Sequence, residues 1–272
     1  HGSFWYLLLI GLLLHFICIA LLISIAAKLK LLEQPHFQII LIYLFLLNVL
    51  KLHIFFSPLL LAMALILLSF NYLLQYQVQH SIHAPLLISN GLLVLAFLLF
   101  PPACIFIIPA FLALIVFRPF SFREVIIFLI GLLLPFLYFF GLLYLTDNVS
   151  SIPSVEQMNY RTISVSHTDF FQKIGLTLYG AVFFLSFFNI FSNSFKMAVR
   201  VRNFYKVWAF FAAAALAILV FEGVDLGMAF TGAIPFLALA LCYLLSKMKR
   251  AWFLEVPMLL LLLLSFIWEF IA

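Results

Sequence analysis

Charge is what this sequence has least of. Of its 272 residues only 8% are Asp, Glu, Lys or Arg, where an ordinary soluble domain carries about 25%. That is too little charge to clothe a water-facing surface around a chain that is 68% hydrophobic and 18% aromatic. A soluble globular domain is excluded, and the solvent must be largely hydrocarbon. Alternation of apolar and polar residues with period two is also missing. That excludes a transmembrane barrel built from alternating segments of ~10 residues. Cysteine is scarce: Cys18, Cys104 and Cys242 each stand inside an apolar run, where a thiol behaves as a small hydrophobe. No pair occupies a water-exposed loop, so neither a disulfide framework nor a zinc site is indicated. No nucleotide-binding motif is present either, and no metal or cofactor is expected.

What is present is a succession of apolar runs. A spanning helix needs ~20 mostly apolar residues, and about ten candidate spans (roughly eight to eleven) can be drawn on that basis. They cover 4–27, 37–50, 58–74, 85–100, 103–117, 125–145, 174–191, 207–221, 226–245 and 254–271. The expected fold is an all-α, polytopic transmembrane helix bundle forming one integral-membrane domain over 1–272. Pro101-Pro102 should turn the fourth and fifth spans into a hairpin, and Pro109, Pro135, Pro235 and Pro257 predict kinks.

Basic residues orient such a bundle, because Lys and Arg accumulate in cytoplasmic loops. The odd-numbered loops hold Lys28, Lys30, Arg118, Arg123, Lys196, Arg200, Arg202, Lys206, Lys247, Lys249 and Arg250, against Lys51, Arg161 and Lys173 in the even ones. Eleven against three places the odd loops in the cytoplasm. The net charge of +5 then records topology, and no nucleic-acid partner is expected. With both termini outside and an opening "HGSFWY" without Met, a processed or further N-terminal segment is the expectation. One loop is long enough to hold structure of its own, the hydrophilic stretch 146–173. It falls on the periplasmic side, with Thr168 and Asp169 placed as a helix cap and first turn.

The most polar turn among the spans is "FRPFSFRE". Ser121 and Glu124 have capping-box spacing before an apolar run, so each side chain can bond the other's backbone N–H. Pro119 ends the preceding helix, while Phe120 and Phe122 suit interface depth. Arg118 and Arg123 offer guanidinium forks at a helix start, a geometry suited to a lipid phosphate or other anion. The stretch "FKMAVRVRNFYKVW" adds Arg200 and Arg202, again suited to anionic lipid.

The run "FRPFSFREVIIFLIGLLLPFLYFFGLLYLTD" resembles an uncharacterised family of polytopic inner-membrane proteins of Gram-negative bacteria. The shared features are an R-P-F-x-x-R-E turn, a G-L-L-x-P helix and a closing "LTD". "IPFLALALCYLLSKMKRAWFLEVPMLLLLLL" is similar to that family's C-terminal pattern. The resemblance is read from about Leu47 onward, and it implies architecture and an inner-membrane location but no catalytic residues.

Few other residues suggest chemistry. His15 lies mid-span, and a neutral, hydrogen-bonded role in a helix contact is expected for it. His80 and His83 have no third ligand nearby. Asp147, Asp169, Glu222 and Asp225, with His167, are the only groups able to form an outer acid/base or cation-binding set.

Three functions compete. The reading favoured is a non-catalytic subunit or scaffold of an envelope complex (secretion, assembly or surface glycan), held among membrane lipids beside another membrane or envelope protein. The alternative is an enzyme resembling polyprenyl-phosphate-dependent glycosyltransferases. Against it, the first outer loop, "KLHIFFSP", lacks the carboxylate such enzymes need. A lipid transporter or flippase comes third, since Asn48, Asn71, Asn90, Asn189 and His15 show no repeated pattern. The orientation itself is testable. In a cysteine-free background, an impermeant maleimide should label Ser151→Cys in intact cells but Ser121→Cys only after the inner membrane is opened. The reverse pattern would invert every loop assignment.

Overall fold

A computed structural model describes residues 2–29, 35–49, 57–78, 83–117, 122–146, 198–218 and 226–246, with isolated helical positions between 177 and 192. Among the described residues all regular structure is helical and no strand occurs. The elements are α1 (Gly2–Leu29), α2 (Pro35–Val49), α3 (Pro58–Val78), α4 (Ala84–Leu99), a 3-10 helix (Pro101–Phe106), α5 (Ile107–Phe117), α6 (Phe122–Leu145), α7 (Val199–Ala217) and α8 (Leu226–Ser246). Three stretches, Leu8–Lys28, Pro58–Val78 and Phe122–Leu145, are long and apolar enough to cross a membrane. Shorter apolar helices cover Gln38–Leu47, Ala84–Leu99, Pro101–Phe117 and Gly232–Leu244. Most of the candidate span at 174–191, the span at 254–271, most of loop 146–173 and Pro257 lie outside the described residues.

Local chemistry sets several helix ends. Ser57 caps α3, its Oγ accepting from Leu60 N at 3.2 Å, and Pro58 follows at the first helical position, where its missing N–H costs nothing. Phe100 precedes Pro101 and is extended (φ −144°, ψ 95°), as a residue before proline prefers, and this ends α4. The 3-10 helix then lies along α4, but α5 goes on to pack against α7, so the expected hairpin is completed only in its first part. Pro109 falls in the first turns of α5, while Pro135 and Pro235 lie inside α6 and α8.

α3 is the central helix: 72% of its apolar stretch is buried, against 33% for α1 and 11% for α6. It packs against α4, α1 and α8, α4 packs against α6, and α7 joins α5 to α8. The middle of this arrangement is a cluster of four buried phenylalanines from four elements, Phe70, Phe106, Phe211 and Phe236. Ring centroids stand 4.9 Å apart for Phe70 and Phe211, 5.9 Å for Phe106 and Phe211, 6.0 Å for Phe106 and Phe236, and 6.1 Å for Phe211 and Phe236. These are favourable aromatic separations. Cys18 and Cys242 are buried and Cys104 half-buried, all as free thiols.

Paired contacts fix helix directions. Tyr205 meets Tyr243 and Phe211 meets Phe236, so α7 and α8 are antiparallel. Phe117 meets Phe204 and Phe106 meets Phe211, so the 3-10–α5 segment is also antiparallel to α7. Phe97 packs on Phe136 and Asn90 on Gly131, so α4 and α6 run parallel. Phe111 meets Phe128, so α5 and α6 are antiparallel, and the end of α5, the starts of α4, α6 and α7 and the end of α8 therefore share one end of the bundle.

α6 sits at the periphery. Its buried positions, Glu124, Phe128 and Gly131, recur at i, i+4 and i+7, one stripe that faces α4. Leu129, Leu133, Leu137, Tyr138, Leu142, Tyr144 and Leu145 are all exposed. Contact with α4 depends on Gly131. A Cβ added there would stand 2.9 Å from Asn90 Cβ and 3.1 Å from Leu87 O, whereas one added at Gly141 would meet nothing within 4 Å. Gly131→Ala should therefore cost about 1–3 kcal/mol through forced separation of α4 and α6. Gly141→Ala should be neutral or slightly stabilising, because alanine favours helix over glycine. Thermal unfolding midpoints of the detergent-purified variants would separate the two, and equal midpoints would contradict the close approach.

Candidate anion-facing site at the basic end

One basic segment flagged in the sequence, the start of α7, packs against the end of α5. α7 begins at Val199, two turns before the boundary expected at 207. Arg and Lys are good helix formers, and here they extend the helix instead of ending it. Val199, Lys206 and Ala213 are exposed and Arg202 and Phe210 half-buried, which makes an outer stripe. Phe204, Tyr205, Val207 and Trp208 turn inward.

A clasp joins this segment to α5. Asn203 Nδ2 donates to Val116 O at 2.9 Å, and the Phe117 and Phe204 rings meet edge-to-face at 6.0 Å. The clasp thus holds the end of α5 against the basic start of α7. Arg200 is exposed, with its guanidinium carbon 5.7 Å from the Phe204 ring centroid, a cation–π geometry that limits its rotamers. Arg202 is half-buried, and its Nε is shielded from solvent without a hydrogen-bond partner. Arg123 is exposed in the first turn of α6 and Glu124 is buried beside it.

Arg118 and Ser121 lie outside the described residues, so the capping pair is seen only through Glu124. Asp147, Asp169, Glu222 and Asp225 also lie outside, as do His80 and His167. Among the described residues Glu124 is the one carboxylate, against the five cations Lys28, Arg123, Arg200, Arg202 and Lys206. Arg123, Arg200, Arg202 and Lys206 stand at the end shared by the starts of α6 and α7, which gives it a positive field.

The buried polar groups away from this end tie helices together. His15 Nδ1 and Tyr43 OH are 2.9 Å apart, which makes His15 the hydrogen-bonded helix contact expected from its position. Ser69 and Ser89 join α3 to α4, with hydroxyls 2.7 Å apart and Ser89 Oγ donating to Ser69 O at 3.0 Å. Lys28, counted in the sequence with the first loop, forms part of the last turn of α1. It turns in to donate to Asn71 O at 3.2 Å and to Asn71 Oδ1. Neither the Lys28–Asn71 tie nor the Asn203–Val116 clasp was foreseen. Their partners lie 43 and 87 positions apart, and no local pattern marks either amide. An amide directly after Arg202, near a helix start, is the only hint.

A model of a family of unknown function (DUF6427) matches residues 2–271. The chain belongs to DUF6427. That match takes in the first helix and the long loop, where the sequence resemblance is weakest. No curated protein and no solved structure matches the chain. For this DUF6427 member the basic end is thus described from its own geometry. Asn203→Ala should remove the clasp and cost about 1 kcal/mol, the usual net worth of a hydrogen bond. A lowered unfolding midpoint with an unchanged circular-dichroism spectrum would report it, and a midpoint equal to wild type would show that the rings alone hold α5 to α7.

Proposed function

We propose that this protein is a non-catalytic, multi-pass subunit of the bacterial inner membrane that serves as a scaffold in an envelope assembly, secretion or surface-glycan complex. The observation that carries the reading is how its buried polar side chains are used. His15, Tyr43, Ser69, Ser89 and Asn71 bond across helix pairs. In hydrocarbon such bonds act as glue between helices, whereas a reaction centre or a substrate path would hold polar groups turned toward a ligand. The broad apolar outer face of α6 suits contact with lipid or with another membrane protein.

The finer topology belongs to the same proposal. About ten spans, as the apolar runs suggest, put the odd-numbered loops in the cytoplasm. The shared end carrying Arg123, Arg200, Arg202 and Lys206 supports that orientation, because cations gather on the inner side. The R-P-F-x-x-R-E turn and a Gram-negative envelope fit the same picture.

Affinity purification of the tagged full chain in a mild detergent tests the reading. A second membrane or envelope protein should co-elute in fixed ratio and dissociate when the detergent is made harsher. A chain that elutes alone from native membranes under every mild condition would argue strongly against a scaffold.

A further inference from the structure

We infer that the outer face of α7 is a docking surface for one anionic phospholipid, with its phosphodiester at Arg202 and Lys206 and its acyl chains along the apolar continuation of that face. This deepens the membrane reading above and does not depend on whether a protein partner is held.

Three observations meet on this face. The first is charge. Arg202 and Lys206 are one turn apart on the outer stripe of α7, Arg200 stands at its start, and the one described carboxylate, Glu124, belongs to α6. Three cations within two turns of a helix N-terminus oppose the helix dipole, so this arrangement is unfavourable until an anion arrives. The second is the state of Arg202. Its Nε is withdrawn from solvent and lacks an acceptor among the described residues, a costly condition for a guanidinium N–H. A phosphodiester oxygen supplies a matching acceptor, since the planar guanidinium fork fits phosphate better than a point charge does.

The third observation is the apolar track that starts where the cations stop. On α7 itself, Phe210, Ala213 and Ala217 follow Lys206 at i+4, i+7 and i+11 and carry the same outer stripe from cations into apolar residues, Ala213 exposed and the other two half-buried. The Asn203–Val116 clasp holds the basic start of this face against the end of α5. A free phosphate would use only the charged part of this surface. A phospholipid uses both parts, with its headgroup at Arg202 and Lys206 and its chains on the apolar part of the same α7 face. Charge complementarity selects a net-negative lipid over a zwitterionic one, because a choline or ethanolamine headgroup would bring a cation to a site already crowded with them.

The test uses the full chain, delipidated in a neutral detergent, with its unfolding midpoint followed while lipid is added. Phosphatidylglycerol should raise the midpoint in a saturable way, while phosphatidylcholine and inorganic phosphate at equal concentration should leave it nearly unchanged. Arg202→Gln with Lys206→Gln should weaken the phosphatidylglycerol response roughly 30-fold, given about 1 kcal/mol per basic residue at an anionic surface and the tenfold worth of each 1.4 kcal/mol. Arg202→Lys should restore much of it. Both variants should elute as monodisperse species with wild-type circular dichroism, so that loss of response is not loss of fold. Equal responses to phosphatidylcholine and phosphatidylglycerol would overturn the inference, and so would an undiminished response in the double variant. A full response to inorganic phosphate would make the site one for free anions. The presence or absence of a co-eluting protein bears on none of these readouts.

Discussion

Side chains that leave lipid for a protein interior gain little from release of water, so packing itself must hold this chain together. The cluster of Phe70, Phe106, Phe211 and Phe236 meets that demand where α3, the 3-10 helix, α7 and α8 converge. An aromatic pair contributes about 0.5–1.5 kcal/mol beyond its buried area, and each ring here touches at least two others. Polar ties between membrane helices average about 0.6 kcal/mol. The rings therefore dominate, and the ties at His15–Tyr43 and Ser69–Ser89 act on register more than on strength. A hydroxyl pair 2.7 Å apart tolerates little sliding, whereas a greasy helix face tolerates much.

The α4–α6 contact follows the same logic with smaller parts. Large side chains would hold two helices apart, so close approach needs glycine on at least one side. Gly131 supplies it against Leu87 and Asn90, and Gly91 faces the Pro135 ring at 3.7 Å. Pro135 cannot donate to the carbonyl one turn back, and that carbonyl is Gly131 O, which lies toward Gly91. Asn90 Nδ2 approaches Phe128 O at 3.5 Å along the same stripe. The one seam that anchors α6 is thus also where its backbone ladder is interrupted. A helix with only three buried positions depends on that seam for its place in the bundle.

The helical class and most elements could be read from the sequence, because apolar runs of spanning length leave no other solution in hydrocarbon. The span boundaries drawn at Pro58 and before Pro101-Pro102 coincide with a helix start and a helix end in the structure. The start of α7 was misplaced for a physical reason. Arg200, Arg202 and Lys206 read as a loop when charge marks the membrane boundary, yet the same residues carry helix into that boundary, with Phe204 and Trp208 facing inward. The candidate cations could be found by counting. Their convergence could not, since it depends on a bond between Asn203 and Val116 that no spacing announces. Lys28 shows the opposite error: its charge suggested a loop, while its ammonium is tied to Asn71 inside the bundle.

Topology and packing are coupled at the basic end. A cation near a helix N-terminus costs about 0.3–1 kcal/mol at low salt, so the start of α7 carries an electrostatic penalty of the same order as the Asn203 clasp that opposes it. Ala198, at the cap position, makes no side-chain bond to offset the difference. What remains is the environment. Headgroup anions lower the penalty, and a neutral surface leaves it in place. The residues that would orient the chain in a bilayer are therefore the ones that make its α5–α7 corner sensitive to the charge of that bilayer. The Phe117–Phe204 contact sets how far such sensitivity can reach into the core.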